Sequence, residues 1–152
     1  MRIVMAGEGA IAQKHLAAIA RIDGIEVVSL AGGIAADVEA LARQHTIPHW
    51  SLDLAECLAQ PGVEAAILAT PTPLHAVQAV QVLEVGQHVL VEIPMAQSLA
   101  EAERVVAAAD AAGATTRRRL AHAAAAHDDQ IRRLGELLAP LGLGESGVAE
   151  AT

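Results

Sequence analysis

Aromatic residues are almost missing from these 152 residues: there is no Phe or Tyr, and Trp50 is the one Trp. A chain so poor in rings has no stacking platforms for single-stranded nucleic acid. Cysteine is as scarce. Cys57 stands alone, which excludes an internal disulfide, and its place in the helical pattern "DLAECLAQ" suits a small buried hydrophobe better than a nucleophile. Positive charge is in deficit too. Ten Lys and Arg face 18 Asp and Glu, a net charge of −8, which argues against nucleic acid or an anionic membrane as partner. The longest basic run, Arg117-Arg118-Arg119, reads as a solvated helix start. Neither a signal peptide nor an apolar run of membrane-spanning length is present, so a soluble cytoplasmic protein is expected.

What remains is aliphatic. Hydrophobic residues make up 53% of the chain, so the core must be built from Ala, Val, Leu and Ile. Small side chains suit close contact between helices and a sheet, and the length is enough for one domain with a real core.

Strand and helix signals alternate along the first 113 residues. Apolar runs at "RIVMAG", "IEVVSLAG", "VEAAILAT" and "HVLVEIP" read as four strands. Helical spacing covers Ala12–Arg21, Ala35–His45, a short "LDLAECLAQ" capped by Ser51 or Asp53, "PLHAVQAVQVLEVG", and "SLAEAERVVAAADAAG". The last has Ser98 as N-cap, Glu101 three residues on as a capping box, and Gly113 as terminator. Near-continuous apolar strands separated by helices predict an α/β fold, a Rossmann-type doubly wound parallel sheet covered on both faces.

Residues 114–141 break the alternation. Leu120, Ala124, His127, Ile131, Leu134, Leu138 and Leu141 follow a heptad-like spacing on one long C-terminal helix, supported by Asp128 with Arg132 and Asp129 with Arg133. Such a seam is a candidate contact for a homodimer or higher oligomer. A flexible tail is expected over 142–152.

Chemistry is concentrated where strands end. Gly7-Glu8-Gly9-Ala10-Ile11-Ala12 is G-x-G-x-x-A between a strand and a helix, the required setting for dinucleotide binding. Gly7 permits the tight turn, Gly9 lets the backbone approach a pyrophosphate, and Ala12 allows close helix–strand packing. The amides of Ala10 and Ile11 lie at the helix N-terminus. An NAD site wants an acidic residue at the end of the second strand, and an NADP site an arginine nearby. Gly32 and Gly33 stand there instead, and Asp37 lies one turn into the helix and points elsewhere, so the sequence leaves NAD or NADP open. Gly32 is counted with the cofactor site. Thr70 and Pro71, closing the third strand segment, are placed to line the nicotinamide-side ribose and diphosphate. His75 could face the crevice. Glu92 could offer its backbone or carboxylate, and Pro94 forces a sharp exit, with a cis bond as one way to make it. His122 with His127, and His45 with His49, lack the partners a metal site needs, so none is expected.

"GEGAIAQKHL", "ATPTPLHA" and "GQHVLVEIPMAQSLAEAERVV", in that order, resemble the N-terminal half of the glucose–fructose oxidoreductase/inositol dehydrogenase (Gfo/Idh/MocA) family over about residues 1–113. The resemblance implies NAD(P)-dependent hydride transfer on a sugar or small aldehyde. It implies that Gly7, Gly9, Ala10, Ile11 and Ala12 match the pyrophosphate loop. It also implies that Thr70, Pro71 and His75 match a second cofactor loop, and that Glu92 and Pro94 match an E-K-P motif whose lysine is catalytic. Ile93 stands in that lysine's place and can donate no proton. One subgroup of the family shares this lack, so it does not exclude catalysis. Family members continue into a substrate domain with a catalytic histidine. "TTRRR" echoes the family's "HTRR" segment, but the alanine-rich stretch that follows reads as a chain without that domain. Two expectations stand: a subunit that turns over with substrate surface from elsewhere, or a nucleotide-binding and self-association module without turnover. The helix after Gly113 is either an evolved interface or the product of a shortened or shifted reading frame.

Overall fold

A computed structural model describes residues 1–113. The expected helix over 114–141, with its leucine seam and Asp–Arg pairs, and the 142–152 tail lie outside the described residues.

Five strands form one parallel sheet: β1 (Arg2–Ala6), β2 (Glu26–Ala31), β3 (His49–Ser51), β4 (Val63–Leu68) and β5 (His88–Val91). Their order across the sheet is β3-β2-β1-β4-β5. The chain winds outward from β1 to β3, then returns to the other side of β1, so the switch of direction falls between β1 and β4. In such sheets the crevice at the C-terminal strand ends beside the switch is where ligands bind.

Side chains alternate across β1, and this splits the core in two. Ile3 and Met5 meet α1 (Ala10–Ile19) and α2 (Ala35–Gln44) through Ala12, Leu16, Ile19, Val38 and Leu41. Val4 and Ala6 face the other layer. There α3 (Leu54–Leu58), α4 (Thr72–Glu84) and α5 (Leu99–Ala111) bring Leu54, Cys57, Ala76, Ala79, Val82 and Val105. Alanine at contact positions such as Ala12 and Ala79, both fully buried, lets the helices lie close to the strands.

One strand escaped the sequence reading. β3 is three half-buried residues that pair with β2, Ser29 to His49 and Ala31 to Ser51. So short an edge strand has no alternation to detect. It is pinned by the Ser29 hydroxyl, 2.8 Å from His49 Nδ1.

The expected caps form. Asp53 rather than Ser51 caps α3, its Oδ1 accepting from the Ala55 amide at 2.8 Å. Ser51 instead accepts from the Asp53 amide at 3.0 Å and donates to Glu56. At α5, Ser98 Oγ accepts from the Glu101 amide at 3.3 Å. The return half of that box lands one residue early, with Glu101 Oε2 accepting from the Gln97 amide at 2.8 Å. Among the described residues no helix is long and apolar enough to cross a membrane.

Candidate functional site

Two adjoining clefts open at the C-terminal strand ends. One, about 380 Å³, lies in front of the glycine loop and is lined by Gly7, Glu8, Gly9, Ala10 and Ile11 with Ala69, Thr70 and Pro71. The other, about 420 Å³, shares Glu8, Thr70 and Pro71 and runs over the end of β2. Its far wall is apolar, with Ile34, Leu52, Leu54 and Leu74.

The two glycines of the loop differ in kind. Gly7 has φ +117°, and a Cβ there would sit 2.4 Å from the Ala69 carbonyl oxygen, so the fold itself requires glycine. Its amide donates to the Ala31 carbonyl at 2.8 Å, locking the loop to β2. Gly9 is different. It caps α1 with φ −78° and ψ −176°, extended backbone open to any residue. A Cβ built on it meets nothing within 4 Å. Neither its backbone angles nor any contact with the described residues demands glycine at this position. A side chain there would stand in the open space before the α1 amides, which is the space a pyrophosphate fills. The residues present therefore fit a dinucleotide.

Ala12 lines neither cleft. It is fully buried between α1 and the sheet, where its small size sets the helix close.

The end of β2 holds a residue that sequence reasoning missed. Glu8 reaches across from the glycine loop, and its Oε1 accepts from the amides of Gly33 at 2.9 Å and Ile34 at 3.1 Å. These amides belong to the N-cap Ile34 and the residue before it, and α2 has no cap from its own N-cap side chain. The carboxylate lies over Gly32, where a Cβ would be 2.6 Å from Glu8 Oε2 and 2.3 Å from Val38 Cγ2. The missing acidic residue of β2 thus has a physical reason: position 32 has no room for any side chain. No local signal marked Glu8, because its partners are 25 and 26 residues away.

Behind the clefts, β4 and β5 are tied together. His75, which could have faced the crevice, is buried with 2% exposure. Its Nε2 lies 2.7 Å from the Thr70 carbonyl oxygen and its Nδ1 2.8 Å from that of Pro94. The tautomer decides which carbonyl accepts. The ring lies between the loops after β4 and β5, and it lines neither cleft. The Thr70 hydroxyl donates to Gln78 Oε1 at 2.6 Å, and both residues line the cleft over β2. The Ile93–Pro94 peptide is cis.

Glu92 lines neither cleft. Its amide donates to the Leu68 carbonyl at 3.0 Å, and its carboxylate meets His15 Nε2 at 2.6 Å. His15, from α1, is a second residue that sequence reasoning missed. Ile93 is 87% exposed, beside this junction. Cys57 is fully buried, its thiol donating toward the Leu30 carbonyl at 3.5 Å, and burial pushes its pKa up. Among the described residues no group of three His, Cys, Asp or Glu is placed to hold a metal ion.

With this geometry, the likeness to known proteins is specific. Residues 1–118 match the Gfo/Idh/MocA family, an oxidoreductase family with an NAD-binding Rossmann fold. The 4-carboxy-2-hydroxymuconate-6-semialdehyde dehydrogenase of Sphingobium sp. SYK-6 is 45% identical over 106 residues, 70% of this chain and 34% of that protein. The scyllo-inositol 2-dehydrogenase (NAD(+)) of Bacillus subtilis is 32% identical over 85 residues, 56% of this chain and 25% of that one. The crystal structure of the WlbA dehydrogenase from Bordetella pertussis in complex with NADH and UDP-GlcNAcA superposes with a TM-score of 0.70 at 35% identity, covering 74% of this chain and 33% of that one. The chain spans about a third or less of the length of these relatives.

Proposed function

The chain belongs to the Gfo/Idh/MocA oxidoreductase family and carries its NAD-binding Rossmann fold; on that premise we propose that it serves an oxidoreductase passing a hydride between NAD(P) and a sugar or small aldehyde. Gly9 is the observation that carries the reading. Neither a positive φ nor a close contact within the described residues requires glycine there, so we read its use as the open approach to the α1 amides. Gly7, Ala10 and Ile11 would hold the diphosphate beside it, with the backbone of Thr70 and Pro71 across the cleft. The apolar wall of Ile34, Leu52 and Leu74 would take the adenine. Glu92, Pro94 and His75 act from behind, holding the loops in place.

When bound, the dinucleotide supplies the hydride chemistry, and the protein supplies position and a protected face. Substrate class rests on the relatives, which act on a semialdehyde and on an inositol by name. Cytoplasmic residence and self-association through the heptad-spaced leucines of residues 114–141 complete the proposal, and both rest on sequence.

A second reading has one observation in its favour. Ile93, at the position of the family's lysine, is an aliphatic side chain that can neither donate nor accept a proton. A dinucleotide-binding module without turnover accommodates it directly.

Titration with NADH, followed by cofactor fluorescence, tests the shared claim. Saturable binding is expected. No binding at about millimolar cofactor, a weak affinity by any measure, would remove both readings. A subsequent aldehyde and polyol screen separates them.

A further inference from the structure

We propose that Glu8, a residue of the glycine loop and not of β2, selects the cofactor: its carboxylate accepts from the adenosine ribose 2′-hydroxyl of NAD and shuts out the 2′-phosphate of NADP. The inference rests on the dinucleotide reading above.

Three observations converge on it. First, the carboxylate occupies the right place. It lies over Gly32 at the end of β2, the station from which an acidic side chain ordinarily reads the ribose. Position 32 cannot supply that group, since its Cβ would collide with Val38 and with Glu8 itself.

Second, the two amides that lead into α2 are already taken. A 2′-phosphate would be drawn to the free amides at the start of α2, where the helix dipole favours negative charge. Glu8 Oε1 accepts from both Gly33 and Ile34. A phosphate must displace the carboxylate or lie against it, like charge to like. Among the described residues the cleft over β2 offers no compensation, because neither Arg nor Lys lines it.

Third, one acceptor is left over. Both amides go to Oε1, and no donor among the described residues reaches Oε2. Glu8 lines the same cleft as the apolar wall proposed for adenine. A ribose hydroxyl lying between adenine and diphosphate would find in Oε2 an acceptor with free lone pairs.

The experiment is a pair of titrations, NADH and NADPH, on the full chain and on Glu8→Gln and Glu8→Ala. Wild type should bind NADH at least about tenfold more tightly, the scale of a like-charge clash at a partly buried site. Glu8→Gln keeps an acceptor for the α2 amides but removes the charge, and should bring the two affinities to within about threefold. Glu8→Ala frees both amides for a phosphate and should favour NADPH. Melting curves check that each variant folds, and the wild-type ratio does not depend on them. Equal wild-type affinities, or a preference that survives both substitutions, would overturn the role of Glu8 alone. Binding of neither cofactor would overturn the dinucleotide reading, and this inference with it.

Discussion

His15 and Glu92 are 77 residues apart in sequence, yet His15 Nε2 lies 2.6 Å from Glu92 Oε1. The pair joins the helix that follows the glycine loop to the end of β5, across the width of β1 and β4. One contact therefore ties α1 to the chain just after β5. Both side chains are partly shielded, at 26% and 32% exposure. A double-mutant cycle of His15→Ala and Glu92→Ala should give a coupling of about 0.5–1 kcal/mol. Additive losses would show that the two side chains do not support each other.

The two loop glycines should separate stability from binding. Gly7→Ala forces a Cβ against the Ala69 carbonyl at a positive φ, and should cost about 2–4 kcal/mol. Gly9→Val meets open space but replaces a favoured N-cap residue with a poor one, and should cost about 1 kcal/mol, well below the Gly7→Ala loss. The same variant should weaken NADH binding by more than about tenfold, since its side chain stands where the diphosphate must approach. Urea melts and NADH titrations of both variants decide the matter. A Gly9→Val protein that binds as well as wild type would defeat the loop assignment.

Placing the usual acidic residue at the end of β2 should fail. Gly32→Asp puts atoms on top of Val38 and Glu8, with an expected loss of about 1–3 kcal/mol. Gly32→Ala in a Val38→Ala background should cost less than the two single losses added together, because the nearer of the two clashing groups is gone. Strict additivity would mean that Val38 is not what excludes a side chain at position 32.

Cys57 should be silent to thiol reagents in the folded protein. Burial raises its pKa above the ordinary 9.0, the flanking Glu56 and Asp53 add to the rise, and hydrogen bonds from Ser29 and Ser51 oppose it. The unfolded chain loses this proton first as pH rises, so the folded state binds more protons there. Stability must then fall as pH climbs through about 9, and the thiol's contribution is intact below that. Chemical denaturation between about pH 8 and 10 should show the decline, with a shallower slope in Cys57→Ala. Fast labelling of the native protein by a thiol reagent would contradict the burial.

The proposed self-association rests on the leucine spacing of residues 114–141 alone. Leu134→Glu places a charge in that seam and should shift sedimentation toward the monomer. An unchanged assembly would take the seam out of the interface.

Much of this molecule is written locally. The run "RIVMAG" before "EGAIAQKHL", the Ser98 cap with Glu101 behind it, and the prolines opening α4 each act within a few residues. Periodicity and capping are short-range physics, so the strand–glycine–helix unit and the covered parallel sheet could be read from the chain. The motif also singled out Gly9, whose open position underlies the proposed ligand approach. Local pattern could not say where Glu8, His15 and His75 would point. Those three side chains find their partners across crossovers of the doubly wound sheet. Only the packing of α1, α2 and α4 against it brings Glu8 to the Gly33 amide, His15 to Glu92, and His75 between Thr70 and Pro94. The dinucleotide loop belongs to the sequence, and the identity of the carboxylate at the end of β2 belongs to the fold. The reason is that a Cβ at position 32 has no space, a fact about Val38 and Glu8 that becomes true only when the sheet has formed.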